Sequence, residues 1–328
     1  MLNGRNAHEL LPLALDLLFK RGVARETRNG SVLQLEGPTL IHYERPLERV
    51  LFHPERNANP FFHLFEALWM LAGRRDVAFP AHYAKQIKAY SDDGVTLNGA
   101  YGYRWRCHFG HDQLDWIVDA LRTNPNCRRQ VLTMWDGGNG EGDDTAQCDL
   151  AKTRTSLDVP CNTHAYFSIN GNGQLDMTVC NRSNDLIWGA LGANAVHFSV
   201  LLEYMAARIG VPVGSYYQFT NNLHGYLKTV EPLWELAART GEASPYELGQ
   251  TSHSLLIPAG EEAAFENDLS RLGYADNFES SFFRGTVAPM LLAHKTREMT
   301  DIEAPDWRKA CAEWLGRRKK VADDGVIY

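Results

Sequence analysis

The segment 61–72, FFHLFEALWMLA, constrains this chain more than any other. It is apolar nearly all round, so a helix built from it has no face to offer water and must be enclosed by other elements. Enclosing it takes a sizeable core, and 328 residues supply one, in a single large domain or two small ones. Glu66 is the only acid in the segment, and His63 lies three residues earlier on the same stripe. Such spacing gives either a polar stripe turned to solvent or a carboxyl in apolar surroundings that suits proton transfer.

The strongest hairpin signal is Asn170-Gly171-Asn172-Gly173, joining strands expected over 164–169 and 174–180. Hydrophobic spacing predicts helices over 5–22, 112–123, 195–209 (ending at Gly210) and 226–240. Strands are expected within 31–52, interrupted by Gly37-Pro38 and Pro46, and over 129–135 and 215–221. Strand-rich and helical stretches mix without a βαβ rhythm, so the expected class is α+β around a mixed sheet. No repeat or linker divides the chain, and one domain is expected over 1–328. Its region 245–328 is the least patterned and carries a basic stretch from Arg317 to Lys320.

Lys and Arg number 33 against 40 Asp and Glu, a net charge of -7. That balance argues against a protein that coats nucleic acid, which needs a basic excess. No apolar run approaches the ~20 residues that cross a bilayer, and the N-terminus lacks the features of a signal peptide. A cytoplasmic protein is therefore expected, with no membrane or nucleic-acid partner. The six cysteines form no CxxC pair, which removes the common zinc and thioredoxin readings, and no metal is expected.

Cys161 follows a loop, Asp158-Val159-Pro160, and precedes a strand, a placement that can expose a nucleophilic thiolate. The plainer reading is a small buried hydrophobe. Arg128-Arg129 and Arg182-Ser183 are candidate phosphate sites, or surface arginines. Asn194 either caps the helix it precedes or turns its amide to a base edge. His224 and Tyr226, two apart at a strand end, either hold a sugar hydroxyl or pack in the core. The loop Gly137–Gly142 matches neither a Walker loop nor a dinucleotide fingerprint and reads as surface.

Taken together, the order of these signals is specific. FEALWML, YGYRW, NCRRQVLTMW, VPCNTHAYF, NRSNDLIWG, a helix opened by Asn194, and NNLHGY follow one another over about residues 60–230. This succession resembles the thymidylate synthase and deoxycytidylate hydroxymethylase family. The resemblance implies a three-layer α+β fold whose mixed sheet forms the interface of a homodimer. It implies one-carbon transfer from 5,10-methylenetetrahydrofolate to C5 of a deoxypyrimidine 5′-monophosphate, dUMP or dCMP. Cys161 matches the nucleophile that adds to pyrimidine C6. Arg182 and Ser183 match phosphate ligands of the same subunit, and Arg182 can also lower the pKa of Cys161. Arg128 and Arg129 match the pair donated to the partner's phosphate, and Arg28 a further phosphate arginine. Glu66 matches the acid that organises water and proton transfers. Tyr101 matches a tyrosine near the proton-abstraction site, and Asp185 the aspartate near the pterin. His224 and Tyr226 match the pair on the sugar 3′-hydroxyl. Asn194, with one residue inserted after Gly189, matches the base-reading residue.

Three departures bear on the product. Asn162 stands where thymidylate synthases usually have His, so it joins the residues expected around the base. The region of their shielding tryptophan holds Lys88, with Tyr90 close by, and the ending DDGVIY is unlike their apolar tail. Looser water exclusion favours water over hydride at the methylene intermediate, giving hydroxymethyl rather than methyl. Reductive methylation stays open as the alternative, as does a silent nucleotide-binding homologue. An unrelated cysteine hydrolase would need His164 or another His to pair with Cys161. An asparagine can pair with uracil or, turned over, with cytosine, so the base stays open too.

Overall fold

The computed structural model describes residues 1–138, 148–253 and 255–323. Most of the expected loop Gly137–Gly142, and the last five residues of DDGVIY, lie outside them. Ten strands occur among the described residues: β1 (Leu2–Gly4), β2 (Val23–Thr27), β3 (Gly30–Gln34), β4 (Thr39–Tyr43), β5 (Val131–Thr133), β6 (Asn162–Ile169), β7 (Leu175–Asn181), β8 (Asn184–Asp185), β9 (Val213–Thr220) and β10 (Leu223–Tyr226).

Asn170 organises the β6–β7 hairpin. Its side-chain oxygen accepts the N–H groups of Asn172 and Gln174 at 3.0 and 3.1 Å, which closes the turn. Leu175, Met177 and Val179 alternate along β7 and are fully buried, so one face of the sheet meets the core. The sheet has six strands in the order β1-β4-β9-β7-β6-β5; β7 and β9 run parallel, as do β1 and β4. Its opposite face leaves Val131, Tyr166 and Phe219 exposed. A second sheet, β2-β3-β10-β8, stands beside it. The mixed pairings and the helices between them make the fold α+β, as expected.

The apolar segment forms the helix Pro60–Leu71, capped by the Asn59 side chain on Phe62 N–H at 3.2 Å. Phe61, Leu64, Phe65 and Leu68 are 0% exposed. Burial of such side chains contributes about 1.5–3 kcal/mol each. Helix-propensity differences are below about 0.7 kcal/mol per residue, so packing fixes this helix. It lies against the helix Asn194–Ile209 and, from the C-terminal region, against the helix Pro305–Asp323. The segment Leu186–Ile209 passes a length-and-hydropathy test for a membrane span, yet it is mostly packed inside the protein.

The structure corrects several expectations. His63 is buried, so the stripe it shares with Glu66 does not face solvent. The stretch 226–240 is not one helix but Leu227–Val230, a 3-10 turn Glu231–Leu233 and Trp234–Ala237. Pro232 lacks the N–H a continuous helix needs, and the backbone leaves helical geometry at Leu233, with φ -101° and ψ 14°. Of 129–135 only Val131–Thr133 pairs as a strand. The weakly patterned C-terminal region is helical, with helices Glu262–Ser270, Ala288–Thr296 and Pro305–Asp323.

Candidate active site

Cys161 sits where β6 begins, and Arg182 where β7 ends. Because β6 and β7 are antiparallel, these two ends are neighbours, and Arg182 N–H donates to the Cys161 carbonyl at 2.9 Å. The Arg182 side chain then wraps the 159–161 turn. Its Nε donates to the Pro160 carbonyl at 2.7 Å and its Nη2 to the Val159 carbonyl at 2.9 Å, leaving Nη2 3.6 Å from Cys161 Sγ. Burial pushes the thiol pKa up; Arg182 and Arg28 pull it down, and Asp158 pushes it up. Arg182 thus opposes the burial without overcoming it.

Tyr101 is pressed against the buried helix because residue 102 is glycine: a Cβ there would lie 1.8 Å from the Met70 carbonyl oxygen. Its hydroxyl accepts the N–H groups of Cys161 at 3.2 Å and Asn162 at 3.4 Å, and burial raises its pKa. Asp158, in the same wall, accepts the Gly99 N–H at 2.7 Å, and burial pushes its carboxyl up to about 6. Asp185 Oδ1 accepts the N–H groups of Ile187 and Trp188, at 2.9 and 2.5 Å. Its Oδ2 is buried without a partner, and burial raises its pKa.

These groups line a polar cavity of about 470 Å³, which Arg28, Ser183, Asn194, His224 and Tyr226 share. His224 and Tyr226 face the same way from β10, their rings 5.5 Å apart. The Tyr226 hydroxyl accepts from Asn29 Nδ2 at 3.5 Å, which ties the β2–β3 turn carrying Arg28 to the site. A second cavity of about 450 Å³ has apolar walls that include Phe62, Trp69, Ile87, Leu97 and Trp188. The two cavities share Tyr90, Tyr101, Asp158, Trp188 and Asn194 and form one continuous site. Glu66 and His197 meet in the apolar part, with Nε2 3.0 Å from Oε2.

A thymidylate synthase family model matches residues 48–256, well over half of the chain. The chain belongs to the thymidylate synthase family. It is 44% identical to a deoxyuridylate hydroxymethyltransferase of Pseudomonas phage M6, over 99% of this chain and 98% of that protein. It is 37% identical to one of Bacillus phage SP01, over 88% of this chain and 79% of that protein. It is also 30% identical to a thymidylate synthase of Symbiobacterium thermophilum, over 49% of this chain and 57% of that protein. The protein is therefore a one-carbon transferase whose donor is 5,10-methylenetetrahydrofolate. The site fits that donor: the second cavity offers aromatic and aliphatic walls to a flat ring system. The orphaned Asp185 Oδ2 nearby is an acceptor for ring N–H groups.

Against the family pattern, the fold gathers Cys161, Glu66, Tyr101, Asp185, Arg182, Ser183, Arg28, Asn194, His224 and Tyr226 around the joined cavities. It does not gather three others. Arg128 and Arg129 are exposed in the loop before β5 and touch neither cavity. Asn162 is 0% exposed and off the cavity wall, because its amide turns inward to accept from Asn181. His164 lines the outer face of the six-stranded sheet and holds the Thr163 hydroxyl at 3.0 Å, so no cysteine–histidine pair forms with Cys161. Asn194 does not cap its helix; its amide donates to Asn184 Oδ1 at 3.2 Å. Where thymidylate synthases carry the shielding tryptophan, Gln86, Ile87 and Tyr90 line the cavity and Lys88 does not. Sequence reasoning missed His197 and gave no role to Asp158. The signal for His197 was available, since it follows Asn194 by three on one helix face.

Proposed function

We propose that the protein transfers a hydroxymethyl group to C5 of dUMP through a covalent bond between Cys161 and C6. The observation that carries this reading is the Cys161 thiol, 3.6 Å from the Arg182 guanidinium and walled by Asn194, Asp185 and His224. Identity to deoxyuridylate hydroxymethyltransferases over nearly the whole chain supports the same substrate and product.

Each side chain then has a task. Arg182, Arg28 and Ser183 bind the phosphate, while His224 and Tyr226 hold the sugar hydroxyl. Asn194 pairs with the base, so that negative charge developing at O4 is met by an amide N–H when Cys161 adds to C6. Tyr101 sits beside that bond, where the C5 proton departs. The bound 5,10-methylenetetrahydrofolate supplies a carbon at the oxidation level of formaldehyde. With that donor bound, C5 would bond to this carbon, the C5 proton would leave, and the carbon would part from the folate nitrogen, which keeps the electron pair. Glu66, held against His197, positions a water and accepts its proton as the water oxygen bonds to that carbon and the electrons return to the ring. Expulsion of the Cys161 thiolate restores the C5–C6 double bond.

The working form is a homodimer built on the exposed face of the six-stranded sheet. Val131 and Tyr166 line a depression there that reaches Arg182, which also lines the polar cavity. A second copy on this face would bring the exposed Arg128 and Arg129 towards its neighbour's phosphate. The substrates are soluble metabolites, and a cytoplasmic enzyme fits them.

Mass spectrometry of the nucleotide after incubation with dUMP and 5,10-methylenetetrahydrofolate tests the reading. A gain of about 30 Da is expected, for hydroxymethyl; a gain of about 14 Da would replace it with reductive methylation. Cys161→Ser is expected to abolish tritium release from C5-labelled dUMP, and full release would end the nucleophile assignment.

A further inference from the structure

The amide of Asn194 can in principle present its oxygen or its nitrogen to a given edge of a pyrimidine, and so match uracil or cytosine. What lies behind it removes that freedom. Asn194 Nδ2 donates to Asn184 Oδ1 at 3.2 Å, Asn184 Nδ2 donates to Gln218 Oε1 at 3.0 Å, and Gln218 Nε2 donates to the Tyr216 hydroxyl at 2.5 Å. The four residues are 8%, 3%, 0% and 0% exposed, so at Gln218 and Tyr216, the two inner members, water cannot replace a lost partner. Gly189 pins the direction of the relay. A Cβ at Gly189 would lie 2.0 Å from Asn184 Oδ1, so the glycine turns an α-hydrogen onto that oxygen. Reversing the relay would turn three amides together and set the Asn184 amino group against that hydrogen.

We infer that Asn184, Gln218 and Tyr216 are positioning residues that hold Asn194 in the orientation that reads uracil and rejects cytosine. With one N–H committed to Asn184, Asn194 offers the cavity an oxygen and one remaining N–H. Uracil answers with N3–H and O4. Cytosine places its N3 lone pair against the oxygen and its amino group against the N–H, so both contacts repel. The inference rests on the reading of the polar cavity as a pyrimidine nucleotide site.

Calorimetry of dUMP and dCMP binding to the full chain, without folate, tests it. The wild type prefers dUMP. Gln218→Met cuts the relay and frees the amide to turn, so the ratio of the two Kd values falls by about tenfold or more. Gln218→Glu still accepts from Asn184 and keeps the ratio within about twofold of wild type, which a purely structural role for Gln218 does not predict. If folded Gln218→Met discriminates as well as the wild type, the inference is overturned. Should Gln218→Met not melt cooperatively, Asn184→Asp, which keeps an oxygen facing Asn194, is compared with Asn184→Leu. Retained preference in the first and lost preference in the second support the relay; equal ratios overturn it. A wild type that binds neither nucleotide removes the reading beneath, and the relay's ligand with it.

Discussion

Two buried polar clusters lie on either side of the Tyr101 turn and are built on opposite principles. In the first, Arg104 Nη1 donates to Asp149 Oδ2 at 2.6 Å and to the Met134 carbonyl at 2.7 Å. Nη2 donates to Asp149 Oδ1 and to the Asn98 carbonyl, both at 2.9 Å, and Nε donates to the same carbonyl at 3.2 Å. Asp149 Oδ2 also takes the Asp136 N–H at 2.8 Å. Both residues are fully buried, and each donor and acceptor is used. In the second, around the joined cavities, Asp185 Oδ2 and His197 Nδ1 lack a hydrogen bond, and His197 Nε2 meets only the Glu66 carboxylate. Each unmet group costs about 1–3 kcal/mol. The fold spends its satisfied polarity on joining segments and leaves it open where a ligand can complete it.

The sharpest way to break this contrast is to cut the first cluster. Arg104→Met leaves Asp149 buried and unpaired, and should cost about 3–5 kcal/mol in a urea melt. Alkylation of Cys161 in native buffer should hardly change. A loss below about 1 kcal/mol would mean that the saturated cluster is dispensable. The matching change in the second cluster is Asp185→Asn, which keeps Oδ1 on the Ile187 and Trp188 N–H groups. Burial raises the Asp185 carboxyl, so the folded chain gives up stability as this group ionises. The variant should therefore be at least as stable as wild type at neutral pH. Turnover should nonetheless fall by about 100-fold, on the scale of one lost polar contact to the reacting partners. Unchanged turnover would reduce Asp185 to a helix cap.

The same contrast explains what the sequence could disclose. The hairpin at Asn170, the enclosed helix with Glu66 and the stop at Gly210 are local patterns, and each was legible. The meeting of Cys161, Arg182 and Asp185 at one cavity was legible only through the order of several motifs, because no single one separates a cavity-lining thiol from a core one. The Glu66–His197 pair spans two helices far apart in sequence, and Gln218 reaches Asn184 across 34 residues. No local spacing encodes those meetings. The inward turn of Asn162 depends on Asn181 in the neighbouring strand and was equally hidden. Pro232 splits the 226–240 stretch against its apolar spacing, a place where one residue outweighs the periodicity around it.

Asp158 tests the contrast most gently, because it is half satisfied: one oxygen takes the Gly99 N–H while burial pushes its pKa up to about 6 from an ordinary 3.8. Between those values the folded chain keeps a proton that the unfolded chain has lost. Stability contributed by this group is therefore full below about pH 4 and declines as pH rises to about 6. Asp158→Asn, whose amide oxygen can still accept from Gly99, should match the wild type in Tm near pH 4 and exceed it above pH 6. The same substitution removes a negative charge that raises the Cys161 pKa. Iodoacetamide should then alkylate Cys161 faster at pH 7, by about threefold, because more of the thiol is ionised. An unchanged alkylation rate, with the Tm difference present, would confine Asp158 to the fold and leave the thiol governed by burial, Arg182 and Arg28.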